Sequence, residues 1–181
     1  MSVDIRIRKG ANIQLKGESE KILSDASTSE TFALKPDNFF GIIPRLIAKE
    51  GDRIAKGAPV FHSKKDPRIL FTSPVSGILK EVIRGAKRKI LKIVIEEQEA
   101  DVITHKITSK SLTRKNINEI LLKSGAWPFI KQRPYGIIAN PDITPKAIYI
   151  SSYASAPLDV DFQFLLKNNK EDFQKGIDIL N

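Results

Sequence analysis

Along residues 4–96, apolar positions come in short runs separated by turns that carry glycine or proline, and the pattern occurs twice. The first copy reads Gly41-Ile-Ile-Pro-Arg-Leu-Ile-Ala-Lys-Glu-Gly-Asp-Arg-Ile54. The second reads Gly77-Ile-Leu-Lys-Glu-Val-Ile-Arg-Gly-Ala-Lys-Arg-Lys-Ile90, with its turn glycine two residues earlier. Each is a glycine, an apolar strand, a polar turn and a second strand. Alternation of period two marks half-buried strands, and Gly, Pro, Asn and Asp clusters mark the turns between them. The pattern predicts strands over 4–8, 31–35, 39–48, 59–62, 69–72, 78–83 and 88–96. Pro44 lacks a donor, so the strand over 39–48 belongs at a sheet edge or a bulge. Residues 16–30, rich in Ser and Glu, read as loop, and residues 63–68 as a polar hairpin loop. Two copies joined by that hairpin close into a small barrel-like sandwich with rough twofold symmetry.

The periodicity changes near residue 100. Leu112, Ile117, Ile120 and Leu121 follow helical spacing, Thr113 suits an N-cap, and the helix is expected over 114–124. A connector with Pro128, Pro134, Pro141 and Pro145 follows. Ala147–Ile150 reads as a buried strand. Residues 162–166 and 172–180 read as helices, the first capped by Asp159 or Asp161. Helix, strand, helix is how an α/β domain opens. The expected class is therefore α+β: a β-sandwich domain over 1–100, then the beginning of an α/β domain over 101–181. One strand cannot close such a domain and the last helix still runs at Asn181, so the chain is expected to be an N-terminal fragment of a longer protein.

Composition narrows the chemistry. At 41% hydrophobic and 28% charged, the chain can build a core. It has no Cys, which removes disulfides, thiolate metal sites, iron–sulfur ligation and Cys nucleophiles. No apolar run approaches the roughly 18 residues of a membrane span, and the first ten residues alternate Ile with charge, so a cytoplasmic protein is expected. Of a net charge of +9, residues 39–96 hold most, with 13 Lys and Arg against 5 Asp and Glu. No RNP, helix-turn-helix or zinc-finger pattern accompanies that excess, so nucleic acid is not an expected partner. Solvated strand faces or a docking surface account for it, with Lys87-Arg88-Lys89 and Lys92 as its densest part. His62 and His105 stand apart with no carboxylate constellation, and no catalytic or metal-ligating set is expected. The acidic run Glu96 to Asp101 reads as a solvated linker. Trp127, Phe129 and Tyr135 line the proline-rich connector. They are candidates for a groove that holds a quinone ring, or for packing between domains.

Several stretches carry a resemblance. Lys49 to Val60 and Ser73-Pro-Val-Ser-Gly77 resemble the two turn-and-strand signatures of biotinyl/lipoyl domains, and the hairpin between them, where carriers hold a modified Lys, reads His62-Ser-Lys-Lys-Asp-Pro-Arg68. No Met precedes either Lys and neither follows Asp, so the resemblance implies a lipoyl-like fold with Lys64 and Lys65 unmodified. Arg8 to Asn12, Lys49 to Phe61, Lys64 to Pro67, Phe71 to Gly77, Arg84 to Arg88, Ser124 to Trp127 and Arg133-Pro134, taken in order, resemble the A-type subunit of the bacterial sodium-translocating NADH:quinone oxidoreductase. More distantly, the chain is similar to the C-type subunit of the Rnf complex and to the flavin subunit of respiratory complex I, which sets the expected α/β domain in that lineage. Those relatives hold a flavin phosphate in a Gly-Gly-Ala-x-Phe-Pro-Thr loop and carry a Glu-x-Glu-Pro element. The matching residues here are Lys123-Ser-Gly-Ala-Trp-Pro-Phe129 and Ala154-Ser-Ala-Pro157, so the resemblance implies a kept scaffold and a dismantled nucleotide site. It implies a peripheral subunit on the cytoplasmic face of the bacterial inner membrane. Its partners would be the other subunits of the complex, ubiquinone its substrate, and NAD and flavins would sit on other subunits. Enzymatic activity would belong to the complex, with this segment inactive alone and holding no cofactor. The alternative is a non-catalytic basic docking module with the same unmodified lipoyl-like domain.

Overall fold

Strand pairing in the computed structural model, which describes residues 15–17, 20–99, 101–105, 107, 113–153, 156 and 159–180, bears out the sandwich. The chain divides into two compact units, Ser27–Pro145 and a second formed by Met1–Ala26 with Lys146–Asn181. Two antiparallel sheets form the sandwich of the first unit. One runs in the order β1 (Thr31–Leu34), β7 (Ile90–Glu97), β6 (Gly77–Arg84) and β3 (Arg53–Ile54). The other runs β2 (Pro44–Leu46), β4 (Pro59–Ser63), β5 (Leu70–Thr72). Residues of β4, β6 and β7 enter the core, where Val60, Phe61, Leu79, Ile93 and Ile95 are fully buried. Each such side chain contributes about 1.5–3 kcal/mol. Phe61 stacks on Phe71 at 4.4 Å, and Phe39 meets Phe71 edge-on at 4.7 Å.

The two copies of the repeat fold differently. In the second, β6 and β7 pair with each other along their length. In the first, β2 leaves to pair with β4 while β3 pairs with β6. Pro44 has no N–H to donate and sits on β2, an edge strand, as its chemistry requires. The apolar stretch before it is shorter as a strand than the pattern suggests, because Phe39, Phe40 and Gly41 turn the chain out of the 3₁₀ turn Pro36–Asn38.

Two positions depend on backbone detail. At Gly77 a Cβ would collide with the carbonyl oxygen of Glu96 on the paired strand, so only glycine lets β6 approach β7 there. At the far end of that hairpin, Lys89 N–H bonds Ala86 O (3.2 Å) and Gly85 N–H bonds Lys89 O (2.8 Å). Lys87 and Arg88 between them have φ of 55° and 60°. Side-chain-bearing residues in this left-handed region cost on the order of 1 kcal/mol each against glycine. The acidic run after β7 does not float free at its end: Lys56 N–H reaches Asp101 O, Ile103 N–H returns to Lys56 O, and Ser76 Oγ donates to Asp101 O.

Helix α1 (Arg114–Lys123) opens on Thr113, whose Oγ1 accepts from Asn116 N–H. It closes on Gly125 at φ 75°, with Gly125 N–H to Leu122 O and Ala126 N–H to Leu121 O, a Schellman end. A Cβ on Gly125 would strike Thr72 of β5, which fixes how closely this helix end approaches the sheet. A 3₁₀ turn, Trp127–Phe129, leads into the hairpin β8 (Lys131–Gln132) and β9 (Ile137–Ile138).

In the second unit α2 (Phe162–Leu165) begins with Asp161 accepting from Phe164 N–H, and α3 (Lys170–Leu180) follows. The expected strand Ala147–Ile150 does not form. Tyr149 is 92% exposed, and Ile148 and Ile150 also face solvent. A strand is stabilised by an edge to pair with, and among the described residues this unit has no other strand. The expected strand over 4–8 lies outside the described residues.

Candidate functional site

The segment joining α1 to β8 brings the aromatic candidates to very different places. Trp127 is buried (6% exposed) in the sandwich core and donates Nε1–H to Ala139 O at 2.8 Å. Phe129, two residues on, is 73% exposed. Tyr135 is 70% exposed in the β8–β9 turn, after the cis Arg133–Pro134 bond. Phe129 lines a cleft whose walls include neither Trp127 nor Tyr135. That cleft, of about 310 Å³, has walls from Ala33, Leu34, Phe39, Phe61, Pro128 and Phe129, with Lys35, Asn38 and Lys131 also lining it. Phe129 and Phe39 meet edge-on at 5.9 Å, so the aromatic series Phe61, Phe71, Phe39, Phe129 runs from the core to the surface.

The chemistry of the cleft follows from its walls. No carboxylate lines it, and its two charges are ammonium groups. A flat, neutral or anionic ring with hydrogen-bond acceptors matches apolar walls with cationic donors, and the volume sits at the small end of ligand pockets. Lys35, Phe39 and Lys131 carry no signal in the sequence that marks them for a shared site. Phe39 reads as a strand residue, and the two lysines are far apart in sequence and meet only through the fold.

In the stretch that the resemblance sets against a flavin-phosphate loop, five backbone donors bond to the helix end and the 3₁₀ turn. Ser124 N–H goes to Ile120 O, Gly125 N–H to Leu122 O, Ala126 N–H to Leu121 O, Phe129 N–H to Ala126 O and Ile130 N–H to Trp127 O. Pro128 has none. These donors are spent on closing the helix and the 3₁₀ turn, and the loop lies at the carboxyl end of α1, where the helix dipole repels an anion. Of the Ala154–Pro157 stretch, only Ala156 lies within the described residues.

The β4–β5 hairpin, where a carrier would hold its modified Lys, is tied down by Arg68. Its guanidinium takes Asp66 through Nε and Nη2 (3.0 and 2.7 Å) and Asp142 through Nη1 and Nη2 (2.8 and 2.7 Å). Hydrogen bonds from Arg68 hold both carboxyls below their ordinary value, and the same bonds push the guanidinium up. Lys64 and Lys65 are exposed beside this clamp, with Lys64 N–H bonded to Ile43 O. His62 lies on β4 with Nδ1 2.9 Å from Ser63 O. Among the described residues no cluster of three or more metal-ligating side chains occurs, and no helix is long and apolar enough to cross a membrane.

Comparison with known proteins agrees with this architecture. The model of the NqrA N-terminal barrel-sandwich hybrid domain matches residues 5–98, and that of the NqrA second alpha/beta domain matches residues 112–181. Among curated relatives, the chain is 31% identical over 181 residues to the A-type subunit of the Na(+)-translocating NADH-quinone reductase of Pasteurella multocida, covering 98% of this chain and 41% of that protein. It is 32% identical to the same subunit from Neisseria meningitidis serogroup A (98% and 40%) and 30% identical to that of Histophilus somni (98% and 41%). The chain thus spans about two fifths of the length of the curated relatives it matches. With a barrel-sandwich hybrid domain followed by sequence of the second alpha/beta domain, the chain belongs to the NqrA family.

Proposed function

We propose that the chain serves within the NqrA component of a sodium-translocating NADH:quinone reductase, as a peripheral scaffold on the cytoplasmic face that binds no flavin or iron–sulfur cluster of its own. In this reading NADH oxidation and the flavins belong to other subunits, and the complex reduces ubiquinone and exports sodium. The observation that carries it is the ordered match to both NqrA domains over nearly the whole chain. The bonded N–H groups of Ser124, Gly125, Ala126, Phe129 and Ile130 support the absence of a bound nucleotide.

The cleft beside Phe129 is the place we assign to the quinone ring. The ring would lie against Phe39 and Phe129, with Lys35 or Lys131 donating to a quinone oxygen. Trp127 then acts from beneath by holding the 3₁₀ turn that presents Phe129. Tyr135 stands outside the cleft lining and carries no part of this contact.

Co-purification tests the assembly. Tagged chain is mixed with bacterial membranes that contain the remaining reductase subunits, and with membranes that lack them. Washing uses about 0.5 M salt, which confines surface charge attraction to a few ångströms. Retention only on membranes with the other subunits is the expected result. Equal loss from both contradicts the reading.

A further inference from the structure

The β6–β7 turn carries two cations where its geometry favours Asn and Gly. A two-residue turn with both central φ values positive is best served by Asn-Gly, yet Lys87 and Arg88 occupy those positions and both are exposed. No acidic residue occurs between Val82 and Ile95, whereas Arg84, Lys87, Arg88, Lys89 and Lys92 all do. Lys89 is paired with Asp37 at 2.8 Å. Among the described residues the other four have no carboxylate partner. Arg84 Nη1 donates to Arg88 O at 3.2 Å, which sets a second guanidinium along the turn. Leu91, 41% exposed, lies over Gly85 at the base of the same tip.

We infer that this hairpin tip is a docking finger for anionic phospholipid. Charge alone would suit any acidic surface. The exposed Leu91 beside the cations favours the boundary between headgroups and acyl chains, where cations meet phosphate and an apolar side chain enters beneath them. The inference deepens the peripheral-scaffold reading by naming a lipid contact. It is measured with no other subunit present, so its failure would leave complex membership untouched.

Sedimentation of the full chain with vesicles tests it, using phosphatidylcholine alone and an equal mixture with phosphatidylserine. Binding to the mixed vesicles only, falling as salt rises, is expected. The double variant Lys87→Asn/Arg88→Gly should bind roughly 25-fold more weakly, about fivefold per cation. Because Asn-Gly suits the turn, its Tm should rise, which separates lost binding from lost folding. A wild-type chain that ignores phosphatidylserine, or a variant that binds as well as the parent, overturns the proposal. Capture of polyglutamate without capture of vesicles also overturns it, in favour of an acidic protein partner.

Discussion

At the scale of single residues, glycine does its most specific work at Gly77. Its φ lies outside the left-handed region, so sequence rules about left-handed glycines would miss it. What demands it is the carbonyl of Glu96, which occupies the space a Cβ would take. Gly77→Ala must push β6 from β7 at the start of their pairing and should cost about 2–3 kcal/mol, lowering Tm by roughly 5–10 °C. Gly51→Ala is the control: it sits at φ 90° with nothing within 4 Å of its added methyl, so it bears backbone strain alone. Thermal melts of both decide it, and a Gly77→Ala change no larger than that of Gly51→Ala would contradict the packing argument. Trp127 teaches a related lesson. As a large aromatic in a proline-rich connector it reads as packing more readily than as ligand wall. Its burial and its bond to Ala139 O place it in the sandwich core, with Phe129 left to line the cleft.

At the scale of elements, β6 and β7 were legible because eight-residue runs rich in β-branched residues leave little ambiguity. Thr113 and Gly125 bracketed α1 because caps are local chemistry. The expected strand over 39–48 shrinks to β2 because Phe39 to Gly41 turn, and β2 and β3 find their partners in different sheets, a choice no local pattern encodes. Ala147–Ile150 has the composition of a strand without an edge to join, which composition cannot reveal. The β4–β5 hairpin offers a pH test. Asp66 and Asp142 are held by Arg68 below the ordinary 3.8, so the clamp's stabilisation is fully present above that value and fades as pH falls through the lower folded values. Arg68→Gln should therefore lower the urea midpoint at pH 7 by a modest amount, as befits exposed pairs. The two proteins should converge well below pH 3.8. A gap at low pH equal to that at pH 7 would show that Arg68 stabilises through packing alone.

At the scale of the whole molecule, the basic excess noted along residues 39–96 resolves into distinct uses. Arg68 is consumed by its carboxylates, Lys80 and Lys89 by ion pairs, while Lys87 and Arg88 at the hairpin tip have no carboxylate partner among the described residues. Composition reported the sum and hid this division. The family was legible through motifs spread along the chain. The cleft was half legible, through Phe129, because Lys35, Phe39 and Lys131 converge only in three dimensions. The proposed function gives the chain a framework without a phosphate cradle and a cleft that takes a quinone ring. The most direct test uses the fluorescence of Trp127, the chain's one tryptophan, two residues from Phe129. The purified chain is titrated with a short-chain ubiquinone analogue and, in parallel, with FMN. Saturable quenching by the quinone that Phe129→Ala weakens, with no saturable response to FMN, is the expected result. Saturable FMN binding, or quinone quenching that stays linear and ignores Phe129→Ala, would contradict it.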